Sequence, residues 1–421
     1  MFKKLKNFFY FSVALYFRFF ASIRLKLWKP RIIVITGSSG KTTLLHLIES
    51  QLGDRAKYSH EANSSFGIPF DILSLHRKSL LLYEWPVLFF LAPVGIFSKL
   101  PRQKLYIVEA DCDRPYEGKF LSEFLKPEVT LWTNVSRTHS MNFEKEVEKG
   151  KFKTVDKAIA YEFGYYGQET KSLVIVGDNS VNLESQLSRV KCKLENILSN
   201  NNKIDYSVSA NGSIFVINNK KYTFKYLLPK KTSTLILMCS SLMKYLNEKF
   251  DDKFTNFKLA PSRSSVFKGI KNTTLVDSSY NANLDSMTEV VEMFSEIEAK
   301  EKWVVIADMI EQGSQEEEEH RKLASLISKH NFQNIILMGP RVSEYTEPIL
   351  LNKNTNVVSF VNPKDVLDYL LSSIKGGEVI LFKGARFLEG VIEHLLKNKE
   401  DVNKLARREK VWQIRRKKWG L

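Results

Sequence analysis

The nine residues 35–43, Ile-Thr-Gly-Ser-Ser-Gly-Lys-Thr-Thr, constrain the fold of this chain more than any other stretch. An apolar run from Ile32 to Ile35 leads into them, and apolar residues at helical spacing follow from Leu44 to Leu52. This order predicts a strand, a glycine turn and a helix. Backbone N–H groups at the start of such a helix face bound anions, and the helix dipole favours phosphate there.

The turn therefore predicts a site for a nucleoside triphosphate. Its candidate residues are Gly37, Ser38, Ser39, Gly40, Lys41, Thr42 and Thr43. Lys41 would reach the outer phosphates of ATP, and Thr42 would hold Mg²⁺. The general phosphate-loop pattern has a further glycine where this chain has Ile35, so the loop is the shorter G-x-x-G-K-T form. The alternative is an ordinary strand-to-helix turn, and the strand–turn–helix context argues against it.

Length and composition indicate a globular protein of two or three domains, since the chain has 421 residues with 43% hydrophobic and 26% charged side chains. Its three cysteines, Cys112, Cys192 and Cys239, are widely spaced and match no metal or redox pattern. We expect them to be buried thiols in a reducing compartment. The use of ATP also favours the cytoplasm.

The formal net charge of +16 raises the question of an anionic partner. The chain has no RNA-binding signature and no arginine-rich groove motif, so we expect no nucleic acid. The basic residues concentrate at both ends instead: Lys3, Lys4, Lys6, Arg18, Arg24, Lys26, Lys29 and Arg31 at the first, and Arg407, Arg408, Lys410, Arg415, Arg416, Lys417 and Lys418 at the last. Anionic lipid head groups are the partner that this pattern favours.

Residues 8–23 are apolar on almost every helical face, but they are too few to span a bilayer comfortably. They also lack the cleavage site of a secretory signal. We predict a helix lying in the cytoplasmic interface of a membrane, with packing on the protein core or on a partner subunit as the alternative. On this interpretation the residues before Trp28 are dispensable for ATP binding. A second apolar stretch, residues 80–97, is either a membrane-touching loop or a buried helix–turn element.

The remaining pattern predicts an α/β protein. Strand candidates at Arg31–Thr36, Leu105–Glu109, Val129–Thr133 and Leu173–Val176 alternate with helices, which predicts a mostly parallel sheet, and residues 204–224 predict a small antiparallel meander. A second alternation after residue 257 predicts a Rossmann-like doubly wound domain. The predicted boundaries are 1–28 for the membrane-associating segment, 29–250 for the central ATP-binding domain, 257–398 for the C-terminal domain and 399–421 for a basic tail.

Five segments, in order along the chain, resemble the Mur ligase family of ATP-dependent amide-forming ligases, and in particular its MurF branch. They are the short phosphate loop preceded by Thr36, Asn63–Pro69 (N-S-S-F-G-I-P), Asp277–Met287 (D-S-S-Y-N-A-N-L-D-S-M), Ile306–Gly313 (I-A-D-M-I-E-Q-G) followed by His320, and Lys383–Arg386 (K-G-A-R). MurF adds D-alanyl-D-alanine to the UDP-muramoyl tripeptide. The resemblance implies a P-loop NTPase-like central domain followed by a Rossmann-like C-terminal domain.

The resemblance also implies the roles of individual residues. Glu109 and His139 match residues that bind Mg²⁺ together with the loop threonine, and Arg263 and Asp277 match positions that meet the nucleotide. The catalytic set it implies is Lys41, Glu109, His139 and Arg263. Positions that match substrate-facing residues are Asn63, Tyr280, Asn281, Asn283, Asp308, Glu311 and Lys383. A hydrogen-bonded turn for Asn281–Asn283 and a helix cap for Asp308 are the structural alternatives. We expect Asp111 and Asp113, which follow Glu109, to be solvated loop acids, with a place in the metal cluster as the alternative.

Several positions depart from the family. The adenine-reading segment is replaced by Lys231–Leu235, the second aspartate of the D-D-S-Y motif is Ser278, and fewer residues precede the phosphate loop than a UDP-sugar-binding domain needs. We therefore expect that domain to be absent and the carboxylate substrate to be a cell-wall precursor, either soluble or lipid-linked, with an amino acid or dipeptide as the amine. The alternatives are a nucleotide-binding scaffold or regulatory subunit of a wall-building complex and a ligase like poly-γ-glutamate synthetase.

Overall fold

The computed structural model describes residues 2–60, 62–353, 356–385 and 387–421, with side chains from Phe9 onward. The chain forms two compact units. The first comprises Met1–Asn201 with Thr234–Lys258, and the second comprises Asn202–Ser233 with Leu259–Leu421.

The first unit is built on a six-stranded parallel sheet with the order β2-β3-β1-β4-β5-β6. Its strands are β1 (Arg31–Thr36), β2 (Lys57–Tyr58), β3 (Leu105–Glu109), β4 (Val129–Trp132), β5 (Leu173–Val176) and β6 (Lys193–Asn196). Isoleucine, valine and leucine occupy both faces of β1, β3, β4 and β5, which suits strands covered by helices on both sides. Since β1 lies between β3 and β4, the loops that follow these three strands meet at one edge of the sheet.

Helices flank this sheet. They are α1 (Phe2–Trp28), α2 (Lys41–Leu52), α3 (Gly67–Leu73), α4 (Glu84–Gly95), α5 (Glu117–Leu125), α6 (Glu144–Glu148), α7 (Val155–Glu169), α8 (Val181–Glu184) and α9 (Thr232–Leu246). The strand–turn–helix that the phosphate-loop motif predicts is thus confirmed as β1, the turn 37–40 and α2.

Helix α1 belongs to the core of the first unit. Ala14, Phe17, Ala21 and Trp28 are fully buried in the same apolar cluster as strand residues of β1 and β3. The Trp28 indole donates to the carbonyl oxygen of Gln103 over 2.6 Å. Removal of the residues before Trp28 would therefore open this core, which argues against the prediction that ATP binding tolerates their loss. Packing on the protein, the alternative, is correct for one face of the helix.

The second unit contains a six-stranded sheet with the order β10-β11-β15-β12-β13-β14, parallel except for the edge strand β10. Its strands are β10 (Ser265–Lys268), β11 (Thr274–Ser278), β12 (Lys302–Ala307), β13 (Asn334–Met338), β14 (Val357–Phe360) and β15 (Val379–Lys383). The helices that cover it are α10 (Leu284–Glu296), α11 (Glu316–Ile327), α12 (Glu347–Leu351), α13 (Pro363–Ser373), α14 (Leu388–Leu395) and α15 (Lys410–Lys418). This is the predicted doubly wound domain.

The predicted antiparallel meander forms as β7 (Ile204–Ser209), β8 (Gly212–Ile217) and β9 (Lys220–Phe224). It groups with the second unit, whereas the sequence placed it in the central domain. Val208 of the meander and Leu227, which follows it, pack on the apolar cluster around α10, and this packing accounts for the difference.

The second apolar stretch and the basic tail that the sequence analysis identified both contain helices. Residues 80–97 contain α4, and the basic tail includes α15, whose Arg416 is buried. Among the described residues, no helix is both long enough and apolar enough to cross a membrane.

Candidate active site

The loop between β1 and α2 is held in one conformation by the segment that follows β4. Gly37 and Gly40 have φ angles of 123° and 81°, which favour glycine, and a Cβ at Gly37 would collide with Thr133 Oγ1. The Asn134 side-chain oxygen accepts from the Ser39 N–H over 2.9 Å, and its amide donates to Ser39 Oγ over 2.8 Å. The loop is therefore fixed before any ligand binds, with the N-terminus of α2 presented beside it.

Lys41 is buried and lies between its own loop and the loop after β3. Its ammonium donates to the Gly37 carbonyl oxygen over 2.5 Å and lies 2.9 Å from Asp111 Oδ2. Burial opposes the charge, but the carboxylates of Asp111 and Glu109 outweigh it and raise the pKa of Lys41. The sequence-based expectation of a solvated Asp111 is wrong, because this carboxylate is buried with Lys41 as its partner.

Thr42 and Glu109 meet across adjacent elements. The Thr42 hydroxyl donates to Glu109 Oε2 over 3.0 Å. Glu109 is the last residue of β3, beside β1 in the sheet, so its carboxylate reaches the start of α2. A hydroxyl and a carboxylate oxygen at this distance suit Mg²⁺, which prefers oxygen ligands.

A second group of possible metal ligands adjoins the same loop. Ligand atoms of Asp111, Asp113 and His139 lie within 4.8 Å of one another, and His139 Nε2 is 3.2 Å from Asp113 Oδ1. His139 has a left-handed φ of 53°, a conformation that costs about 1–3 kcal/mol and occurs preferentially at functional positions. The donor set, two carboxylates and an imidazole, fits a divalent cation.

Charges in this group are unequally stabilised. Burial raises the pKa of both carboxyls, but Lys41 and then His139 outweigh it at Asp111, whose pKa is lowered. At Asp113 burial and the Asp111 charge prevail and raise the pKa to about 6. The Asp113 side chain is 31% exposed and lies against His139, so the expectation of a solvated acid is only partly correct for it.

Asn63 contacts the loop after β3 through its backbone carbonyl group. Its carbonyl oxygen accepts from the Asp111 N–H over 2.9 Å, and Ser65 Oγ donates to the buried Glu117 carboxylate over 2.6 Å. Glu117 in turn accepts from the Asp113 N–H over 3.0 Å. The segment Asn63–Pro69 therefore supports the loop after β3.

Two features of this site were not predicted from the sequence. They are the pairing of Asp111 with Lys41 and the hydrogen bonds by which Asn134 holds the loop. The signal for both is position, since Asp111 and Asn134 each follow a strand adjacent to β1, and the carboxyl ends of parallel strands form one edge. No pattern in the sequence indicates which residues of these loops turn inward.

In the second unit, Asp277 organises the loops at the end of β11. Its fully buried carboxylate accepts from the Ser262 hydroxyl over 2.7 Å and from the Ser279 hydroxyl over 2.7 Å. Burial raises the pKa of Asp277 despite these bonds. The bond to Ser262 fixes the turn that carries Arg263, so Asp277 positions a residue that the sequence places at the nucleotide.

Tyr280 is stacked by cations. The guanidinium carbon of Arg263 lies 4.4 Å from its ring centre and that of Arg407 lies 5.5 Å from it. Nearby, the buried Lys383 ammonium donates to the Asn281 carbonyl oxygen. Burial and then Arg263 lower the pKa of Lys383 to about 7. Arg386, the last residue of the K-G-A-R match, lies outside the described residues.

Other predicted substrate residues have structural partners. Asn283 caps α10, since its side-chain oxygen accepts from the Ser286 N–H over 2.9 Å. The Asp308 carboxylate accepts from the N–H groups of Arg341 and Val342 over 3.1 and 3.0 Å. Asn283 is thus the N-cap of α10, whereas Asp308 accepts from N–H groups at the start of a helical segment far along the chain and does not cap the helix that follows it. Glu311 has a left-handed φ of 65°.

His320 supports the same segment. Its Nε2 accepts from the Met309 N–H over 3.1 Å, and its Nδ1 contacts the Glu316 carbonyl oxygen at 2.7 Å. Burial lowers the pKa of His320, so the neutral imidazole that this geometry requires is favoured.

Comparison with known proteins agrees with this geometry. Residues 262–386 match the model of the Mur ligase glutamate ligase domain. The chain is similar to UDP-N-acetylmuramoyl-tripeptide–D-alanyl-D-alanine ligases of Bacillus subtilis (21% identity, 87% of this chain and 76% of the relative) and Borreliella burgdorferi (25%, 84% and 72%).

A solved structure of similar fold is that of the MurF ligase from Thermotoga maritima in complex with ADP. The TM-score is 0.71 with 18% identity, over 93% of this chain and 84% of that one. These comparisons show that residues 262–386 form a Mur ligase C-terminal domain and that the chain as a whole is similar in sequence and in fold to MurF ligases.

Proposed function

We propose that this protein is an ATP-dependent ligase that joins the carboxylate of a cell-wall peptide precursor to the amine of an amino acid or dipeptide. The observation that carries the proposal is the arrangement at the edge of the first sheet. There a fixed glycine loop, the buried Lys41–Asp111 pair and the Thr42–Glu109 pair occupy the ends of β1 and β3.

The proposed reaction has two steps. A carboxylate oxygen of the precursor attacks the γ-phosphorus of ATP, the bond to the bridging oxygen breaks, and ADP leaves. The amine then attacks the carbonyl carbon of the acyl phosphate, inorganic phosphate leaves, and the amine proton passes to solvent. Charge develops on phosphate in the first step, so the site needs fixed cations rather than a protein nucleophile.

Residues of the first unit perform the phosphate chemistry in this proposal. Lys41 stays protonated because of its carboxylate partners and moves from the Gly37 carbonyl to the outer phosphates. Thr42 and Glu109 would hold Mg²⁺ beside them, with His139 close to the same loop. Bound Mg²⁺ would neutralise phosphate charge.

Residues of the second unit act on the amine and on the nucleotide in this proposal. Tyr280, Asn281 and Lys383 are the proposed amine-facing groups, with Glu311 on the neighbouring loop. Asn283 and Asp308 support these loops through their hydrogen bonds. The nucleotide roles of Arg263 and Asp277 remain predictions.

We infer the substrates from the relatives that the chain resembles. Their names specify a muramoyl tripeptide and D-alanyl-D-alanine. We propose a muramoyl peptide, nucleotide-linked or lipid-linked, as the carboxylate, and the cytoplasmic face of the cell membrane as the place of reaction. The membrane is considered further below.

An ADP-release assay tests this function. The panel contains UDP-muramoyl tripeptide and its lipid-linked form, each with D-alanyl-D-alanine, D-alanine or L-glutamate. We expect ADP release that depends on both a carboxylate and an amine. Nucleotide binding without turnover on any pair would favour the scaffold alternative, and repeated glutamate addition would favour a ligase like poly-γ-glutamate synthetase.

A further inference from the structure

Helices α1 and α4 of the first unit each have one face that is apolar and exposed. On α1 the exposed apolar residues are Phe9, Leu15, Tyr16, Phe19 and Leu27. On α4 and its flanks they are Leu82, Tyr83, Val87, Phe90, Leu91, Val94 and Phe97, of which Phe90 is 74% and Phe97 87% exposed. Exposed apolar side chains that are grouped in this way mark an interaction surface more often than single exposed ones do.

The two helices pack side by side. The Tyr16 hydroxyl donates to the Phe89 carbonyl oxygen over 2.8 Å, and the rings of Phe17 and Phe89 are 5.0 Å apart. Further along α1, the Arg24 guanidinium donates to the carbonyl oxygen of Gly95, the last residue of α4. These contacts show that α1 and α4 run in the same direction. Tyr16 belongs to the exposed face of α1, and its partner Phe89 precedes the exposed Phe90 of α4, so the two exposed faces adjoin there.

The charged residues within the two segments that contain these helices are almost all basic. Residues 1–31 contain no aspartate or glutamate, and residues 72–104 contain only Glu84, which accepts from the Lys78 and Ser79 N–H groups. The exposed basic residues in the two segments include Lys26, Lys29, Lys78, Lys99 and Arg102. Arg18 and Arg24, which the sequence assigned to lipid head groups, instead contact Phe120 and the carbonyl oxygens after α4.

We propose that α1 and α4 together form a membrane-docking surface, here called the α1/α4 surface, that binds an anionic lipid bilayer. The apolar side chains enter the acyl boundary and the flanking lysines and arginine meet the head groups. A second copy of the chain fits poorly, because it would bring the basic borders of both copies together. This surface specifies how the protein would reach the proposed location. Its test does not depend on ligase activity, because vesicle binding is measured without ATP.

Co-sedimentation of the full chain with vesicles tests the proposal. The vesicles contain phosphatidylglycerol and phosphatidylcholine in about equal parts, or phosphatidylcholine alone. The test variant is Phe19→Gln/Phe90→Gln, and the matched control is Val181→Gln/Val361→Gln, which changes two exposed apolar residues elsewhere. We expect the partition coefficient on anionic vesicles to fall about tenfold or more in the test variant only, from the apolar area that no longer leaves water.

A second variant, Lys78→Glu/Lys99→Glu, tests the electrostatic part of the proposal without changing an apolar residue. It should lose the preference for anionic vesicles, as should the parent protein at high salt. Equal binding of parent and both variants would overturn the proposal. So would failure of the parent to bind vesicles, or a dimer in sedimentation velocity that only Phe19→Gln/Phe90→Gln disrupts, which would make the surface a contact between copies.

Discussion

Two buried lysines, one in each unit, differ in the charge that their surroundings favour. Lys41 follows β1 and is 6% exposed, and Lys383 ends β15 and is 4% exposed. Carboxylates raise the pKa of Lys41, whereas burial and Arg263 lower the pKa of Lys383 to about 7. Burial is the same in both places, so the neighbours determine the protonation state.

The difference suits the two halves of the proposed reaction. A permanent cation is needed where phosphate charge develops. A lysine that exchanges its proton near neutral pH suits the loop of Tyr280 and Asn281, where an amine must give up a proton. Substitution of either lysine, or of the residues that contact it, tests whether the two lysines differ in charge as described.

The largest effect is expected from Lys41→Met, which should lower ATP turnover about 10²–10³-fold. This variant also leaves the buried Asp111 without its cation, so its melting temperature should fall. The double variant Lys41→Met/Asp111→Asn should recover stability but not turnover. Lys57→Met, which removes a lysine paired with Asp71, is the control. Turnover that survives in the double variant would show that the phosphate site lies elsewhere.

Glu109→Gln should raise the Mg²⁺ concentration for half-maximal activity about tenfold or more. The control is Glu128→Gln, a glutamate that pairs with Arg31 at the opposite edge of the same sheet. A Mg²⁺ titration of ADP release measures both. If the two variants require the same Mg²⁺ concentration, Glu109 is not a metal ligand.

The pH dependence of stability should separate the two lysines. The folded pKa of Lys383, about 7, lies below the unfolded value of about 10. Between these values the unfolded chain binds the extra proton, so the Lys383 contribution to stability rises with pH. Lys41 has the opposite sign, since its raised pKa makes its contribution present at neutral pH and lost as pH rises through the folded value.

Urea unfolding midpoints measured between about pH 7 and pH 10 test the contribution of Lys383 to stability. The difference between the parent and Lys383→Met should change with pH in the direction of a more stable parent at high pH. A difference that does not vary with pH would mean that Lys383 stays charged.

The smallest effect concerns the cap of α10. Asn283→Ala should cost about 1 kcal/mol of unfolding free energy, and Asn283→Asp should retain most of it. If Asn283 is only a cap, the KM for the amine is the same in all three proteins. A raised KM in Asn283→Asp at unchanged stability would support direct contact with the substrate.

The sequence predicted the central strands best. β1, β3 and β5 have the predicted bounds, because β-branched residues on both faces leave little choice of structure. β6 and β10 were missed, since edge strands such as Lys193–Asn196 carry polar side chains that no periodicity marks. The meander was predicted, but not the unit that it joins.

The site was predicted in part for a similar reason. Thr42 and Glu109 come together because their strands are neighbours, which the alternation of elements implies. The pairing of Lys41 with Asp111 depends on the path of a loop, and the burial of α1 depends on tertiary packing. Neither leaves a local signal.

Transfer of a heavy-oxygen label tests the central claim most directly. A muramoyl peptide labelled in its reacting carboxylate is incubated with the protein, ATP, Mg²⁺ and the amine, and the released phosphate is analysed by mass spectrometry. We expect one labelled oxygen in each phosphate released, because the carboxylate oxygen that attacks phosphorus leaves as part of the phosphate. Unlabelled phosphate accompanying the amide product would contradict activation through an acyl phosphate.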